Sequence, residues 1–298
     1  MKLAVNYSPA LADLVARGHV EVDLYKLPAW PDLVAQLAVD GAGPTYIHFP
    51  LLVGTGIGGP INTETHAPPD WDQIDSLLAA TGTPWVSAHM GPRTRDHPDL
   101  VGTTPETQVE TLVETLIADL GPLVARYGPQ RVVGENIFEF YGMHLRAAMF
   151  PEVLGRAVEA TGCGFLLDLS HAQLAARVLG IDPYAYIEAL PVTRIREIHV
   201  TGVQRFEGIW VDRARTFGVE ESFIEQVAGQ YLDHLPMIDE DWEILSWALD
   251  RIREGAWATP QIVAYECGGI GPLFAATTIP EVLAEQVPRL YDMVHAGD

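Results

Sequence analysis

Eight short runs rich in Val, Ile and Leu recur along the chain, each followed by a segment with helical spacing of its apolar residues. They are Leu3 to Ser8, Val20 to Lys26, Thr45 to Phe49, Trp85 to His89, Arg131 to Asn136, Gly164 to Leu169, Ile195 to Thr201 and Ile262 to Cys267. Strands that alternate with helices form βα units, and βα units build a parallel sheet with its helices outside. Eight of them in 298 residues predict an α/β fold of the (β/α)8 TIM-barrel type. An open doubly wound sheet would share the alternation, but no Gly-rich dinucleotide fingerprint follows the first run.

The helices carry end signals. Thr104 stands where it can cap, Pro105 suits a first turn, and Val109, Leu112, Val113, Leu116 and Leu120 form one stripe. Asp182 and Pro183 open another helix. A third begins at Asp239, Glu240 and Asp241 and ends near Arg251, Arg253 and Gly255, which complements the helix dipole at both ends. No linker or low-complexity stretch divides the chain, so residues 1–298 are read as one barrel domain.

The start of the chain lacks the basic and apolar regions of a signal peptide, and no stretch approaches the roughly 18 apolar residues of a membrane span. The reading is a soluble cytoplasmic protein that does not act at a membrane. Cys163 and Cys267 could form at most one bridge, which a chain of this size does not need. With 18 Lys and Arg against 40 Asp and Glu, the formal charge of -22 opposes nucleic-acid binding.

From the third run onward, every run ends in a metal-competent residue: His48, His89, Glu135, Asp168, His199 and Glu266. In a barrel these ends converge on one mouth, where barrel enzymes hold their chemistry. Residues two apart on a strand share a face. Ala264 and Ile262 therefore lie under Glu266, and Leu166 and Gly164 under Asp168, while Val263, Tyr265, Leu167 and Phe165 face the helices and Cys267 points away from the mouth. His171, where the sixth strand turns into helix, and His234, in the long loop before the last strand, complete a set of eight; Asp233 is a weaker candidate. Imidazoles and carboxylates without thiolate suit Zn, Mn or Fe, and eight donors exceed the about four to six that one ion takes, so two or three divalent ions are expected.

Glu197 shares the face of His199, where it could accept a hydrogen bond from that ring or form an interior ion pair. Lys26 at the end of the second run is read as a surface residue more readily than as an anion contact at the mouth. Asn136 could orient a substrate or cap a turn. His19, His66, His97, His144 and His295 are read as surface or structural, with His144 and His295 on helices and His97 on a loop that opens on the mouth.

The segments YIHFP, VSAHMG, VGENIF, LLDLSHA, REIHVTG and VAYECGG together resemble the xylose isomerase-like barrel superfamily. Within it, His48, His89, His171 and His234 add to the Glu135, Asp168, His199 and Glu266 quartet of one-metal sugar epimerases, in the manner of the multinuclear branches. His234 to Met237 and the tail from Gly268 through Leu290 are similar to the DUF692 group, the multinuclear non-haem iron-dependent oxidases. The chain departs from the Asp, any residue, His pattern of those branches, with Leu232 before His234 and Asp233 out of register, and it carries His171 where the DUF692 oxidases often have Asn.

The resemblance implies two or three iron ions, with Mn and Zn as alternatives, and an O2-dependent oxidase. Its substrate would be a peptide or small molecule, with a partner protein that delivers the peptide. The alternatives are a sugar isomerase or epimerase, with Glu135 and Glu266 as catalytic acid and base, and an endonuclease IV-like phosphodiesterase, which the acidic charge disfavours.

Overall fold

The computed structural model describes residues 1–139 and 142–296. Its strands are β1 (Lys2–Asn6), β2 (Leu24–Pro28), β3 (Thr45–His48), β4 (Leu51–Val53), β5 (Ile61–Asn62), β6 (Val86–Met90), β7 (Val132–Glu135), β8 (Gly164–Asp168), β9 (Ile195–Val200), β10 (Gly202–Arg205), β11 (Tyr231–Leu235) and β12 (Ile262–Tyr265). One curled sheet runs in the order β3, β2, β1, β12, β9, β8, β7, β6, β4, β5, parallel throughout except for the short β4–β5 pair. All eight runs read from the sequence supply barrel strands.

The two ends of the sheet meet because β3 and β4 are one apolar run broken at Phe49 and Pro50. The first half pairs with β2 and the second with β6. Across the break, hydroxyls replace ladder carbonyls: Ile47 N–H donates to Thr83 Oγ1 (2.9 Å) and Phe49 N–H to Ser87 Oγ (3.1 Å). Buried backbone donors are thereby satisfied where the ladder cannot reach them.

Ala4, Leu24, Tyr46, Trp85, Val133, Leu166, Ile262 and Ala264 form a small buried cluster of their own inside the barrel. Val263, Tyr265, Leu167, Phe165 and Cys267 belong instead to the larger core between strands and helices, as strand alternation requires.

Four expectations change. The second strand starts at Leu24, not Val20, because the Asp23 carboxylate takes the Leu3 N–H (2.6 Å) before the ladder begins. The strand also runs on to Pro28, so Lys26 lies mid-strand and is buried, not a surface residue. Thr104 occupies the N-cap of the helix Pro105–Tyr127 without a side-chain cap bond. The supposed long loop before the last strand is the β10–β11 hairpin with helices Ile209–Thr216 and Glu221–Val227, packed around Phe206, Ala214, Ile224 and Leu232. Asp182 does cap its helix, accepting from Ala185 N–H, and the third helix spans Asp239–Arg253.

The loop after β4 is pinned from behind. Asp119, fully buried on the long helix, accepts from the backbone N–H groups of Gly54, Thr55, Gly56, Gly58 and Gly59. Gly54 has φ 102°, and a Cβ there would lie 2.7 Å from the Pro92 ring, so only glycine fits. Among the described residues, no helix is long and apolar enough to cross a membrane.

Candidate metal centre

The C-terminal ends of the barrel strands bring the predicted residues to one mouth. Glu135 lies at the middle: its Oε2 is 3.4 Å from His48 Nε2 and 3.3 Å from His89 Nε2, and its Oε1 is 3.6 Å from His171 Nδ1 and 3.7 Å from His199 Nδ1. Glu266 Oε1 is 3.2 Å from His199 Nδ1. Asp168 caps the helix that begins at Leu169, its Oδ1 accepting from Ser170 and His171 N–H at 2.7 Å each. Its Oδ2 is left facing the centre, 3.6 Å from His171 Nδ1.

Asp233 and His234 are neighbours on β11, where alternation would send them to opposite faces. They converge because His234 takes a left-handed backbone, φ 59°, which brings its Nε2 to 3.7 Å from Asp233 Oδ2. Such a conformation costs a non-glycine residue on the order of 1 kcal/mol or more and persists only where surroundings hold it. Here the ring stands edge-on to Phe274, and Nδ1 donates to the Glu266 carbonyl (3.0 Å). Asp233 Oδ2 also lies 3.0 Å from His171 Nε2, so the weaker candidate belongs to the cluster.

Four of the histidines spend Nδ1 on the protein scaffold. His89 donates to Leu51 O (3.2 Å), His171 to Asn136 O (2.9 Å) and His234 to Glu266 O, while Nδ1 of His48 meets Ser87 Oγ (3.3 Å). His199 is reversed: Nε2 meets Glu197 Oε1 (2.7 Å), leaving Nδ1 toward the centre. Glu197 also accepts from Tyr46 OH (3.0 Å) and Trp85 Nε1 (2.5 Å), so it is a fixed acceptor beneath the ring, and it pairs with no Lys or Arg among the described residues. Such bonds orient metal-ligating imidazoles and set their tautomers. Asn136 neither caps nor faces substrate: its side chain clamps the Asp168 backbone, to O and from N at 2.9 Å each.

Glu135 Oε2, Asp168 Oδ2 and His199 Nδ1 are buried and make no hydrogen bond among the described residues. Buried polar atoms left so are costly unless an ion completes them. Three overlapping triads each offer donor atoms within 4.8 Å of one another: His48, Glu135 and His199; Glu135, Asp168 and His171; Asp168, His199 and Glu266. His89, His234 and Asp233 border these triads without joining one. The donor set fits more than one divalent cation.

The electrostatics agree. Burial would push the Glu135 and Glu266 carboxyls up, but the surrounding histidines, and for Glu266 also Lys26, hold both well below the usual carboxylate range. Burial opposes charge on His171 and His199, yet nearby carboxylates, chiefly Asp168 for the first and Glu266 for the second, raise both above the usual imidazole value. The pocket therefore draws positive charge. Burial and Lys26 lower His48, which keeps it neutral and able to ligate.

One residue at the mouth has another place than the sequence suggested. His144 is on no helix. It bridges to Arg93 in an irregular segment beside His89, and burial first, then the charges of His89 and Arg93, push it down to about 4. His97, on the mouth loop, meets the Gly54 carbonyl (2.6 Å) and has a structural role. A cavity of about 300 Å³ opens over the centre, lined by Tyr7, Pro28, Trp30, Ile270 and Phe274 together with His48, His89 and Glu135.

Residues 52–247, about two-thirds of the chain, match the family described as RiPP precursor modification enzyme MbnB/TglH/ChrH. The chain belongs to this family. It is 26% identical over 191 residues to a UPF0276 protein of Caulobacter vibrioides, covering 61% of this chain and 63% of that one. It is 40% identical over 70 residues to a UPF0276 protein of Anaeromyxobacter sp., covering 23% and 24%. The matched stretches span less than two-thirds of either relative.

Two solved structures superpose along nearly the whole chain. One is a xylose isomerase domain containing protein from Salmonella typhimurium LT2, with a TM-score of 0.52, 18% identity and 98% and 97% of the two chains covered. The other is D-psicose 3-epimerase, with a TM-score of 0.52, 10% identity and complete coverage of both chains. At these identities they establish the xylose isomerase-like TIM-barrel fold alone.

Proposed function

We propose that this family member is a metal-dependent oxidase that uses a multinuclear iron centre and O2 to modify a peptide or small molecule. The observation that carries the reading is the surplus of ligands: five oriented histidines and four carboxylates surround one mouth, more than a single ion can use. The description of the family as acting on a RiPP precursor supports a peptide substrate. A partner protein that presents the peptide belongs to the same reading.

His48, Glu135, Asp168, His171, His199 and Glu266 would hold the ions, with His89, His234 and Asp233 at their edge. Bound iron would supply O2 binding and electron transfer. The protein's part is orientation: Glu197 fixes the ring of His199, and the Asn136 clamp fixes Asp168 against its helix. The apolar part of the cavity lining, Tyr7, Pro28, Trp30, Ile270 and Phe274, would limit water at the centre and contact the substrate.

The competing assignment is a sugar isomerase or epimerase, because the Glu135, Asp168, His199 and Glu266 quartet is complete. In that case Glu135 and Glu266 would serve as acid and base on a diol. The deciding experiment loads the purified chain with Fe2+ under argon, adds a Cys-containing peptide encoded beside its gene, and follows O2 uptake and peptide mass. Oxygen consumption with a mass change in the peptide is expected. A colourless protein that is active only with Mn2+ and interconverts ketohexoses would overturn the proposal.

A further inference from the structure

The ring of inward-facing strand ends contains one lysine. Lys26 on β2 lies in the cavity wall, only 6% exposed, and its ammonium bonds Glu266 Oε1. That oxygen is also the one 3.2 Å from His199 Nδ1, within the triad formed by Asp168, His199 and Glu266. The other two triads share Glu135, whose Oε2 makes no hydrogen bond among the described residues, and none of their members is bonded to a lysine or arginine among those residues. The three triads are therefore unequal: in one of them a protein cation already holds an oxygen of a member carboxylate.

Charge balance points the same way. The centre contains five carboxylates, Glu135, Asp168, Glu197, Asp233 and Glu266, and Glu197 is the acceptor for three side-chain groups, which suits its ionised form. With ions bound the histidines ligate as neutral imidazoles, so against these carboxylates stands, among the described residues, the ammonium of Lys26. Five negative charges and one positive leave an excess of four, which two divalent ions cancel. A buried excess of either sign is costly.

We infer that Lys26 acts as a resident cation in place of a third metal ion, so that the chain holds two ions tightly and admits a third at Glu266 only when the ammonium is displaced. The inference rests on the multinuclear reading above and concerns the count rather than the chemistry. Removing the ammonium while keeping the stem, as in Lys26→Met, frees Glu266 Oε1 and leaves a fifth negative charge to be matched.

The test is a metal count, independent of activity. The purified full chain and its variants are loaded with excess Fe2+ under argon, desalted, and measured by native mass spectrometry and elemental analysis, with circular dichroism to check folding. Wild type and Lys26→Arg should carry about two ions, and Lys26→Met and Lys26→Gln about three. Three ions in wild type, or no gain in folded Lys26→Met and Lys26→Gln, overturns the role of Lys26 and leaves the multinuclear reading standing. One ion or none in wild type overturns that reading itself. If neither neutral variant folds, the wild-type count decides alone.

Discussion

Replacing Glu135 by Gln should empty more than one metal position. Glu135 belongs to two of the three triads, with Oε2 facing His48 and His89 and Oε1 facing His171 and His199. A carboxylate between two cations offsets their repulsion, and a neutral amide cannot. Unit charges about 4 Å apart attract by about 4 kcal/mol at an effective dielectric of 20, and a divalent ion doubles that. Allowing the amide carbonyl to recover about half, each ion loses roughly 4 kcal/mol, or about a thousandfold in affinity. The assay is elemental analysis after dialysis against a graded series of chelator concentrations. Glu135→Gln should lose its ions together at chelator concentrations that leave wild type loaded. Glu266→Gln, in one triad only, and His234→Ala, in none, should each lose at most one. Full occupancy in Glu135→Gln would refute the bridging role and return Glu135 to an acid or base function.

Glu197→Gln turns an NH2 group toward some of the donors that now share the carboxylate, so His199 loses its fixed tautomer. Metal affinity should fall about 10- to 100-fold with the fold intact by circular dichroism. Asp119→Ala strands the buried N–H groups of Gly54 and Thr55, which should cost about 2–5 kcal/mol and lower the melting temperature by roughly 3–8 °C in calorimetry. Burial pushes the Cys267 thiol up to about 12 and also raises Cys163, so both remain protonated at pH 8. Neither should react with iodoacetamide until the protein is unfolded, and rapid labelling of the native chain would contradict the buried geometry.

Much of this centre is legible in the sequence because a strand has a side-chain period of two and a barrel gathers the ends of its strands. Once eight runs are recognised, the last inward position of each is fixed by counting, and His48, His89, Glu135, Asp168, His199 and Glu266 follow without coordinates. The same counting separates Ala264 and Leu166 inside the barrel from Tyr265 and Phe165 outside it.

What the sequence missed lies wherever local geometry departs from that period or depends on a distant partner. Lys26 ends the apolar run, but β2 continues through Leu27 and Pro28, which sets the lysine inside the strand and buries it. Asp233 was undervalued because a left-handed residue at His234 breaks the alternation, and a one-dimensional pattern does not carry a sign of φ. His144 lost its expected helix to a bridge with Arg93, about fifty residues away in the chain. The tautomers of the histidines, the acceptor role of Glu197 and the competition of Lys26 for Glu266 Oε1 are pairings between strands far apart in sequence. Periodicity determines which way a side chain points, and only the closed tertiary structure determines which atom it meets.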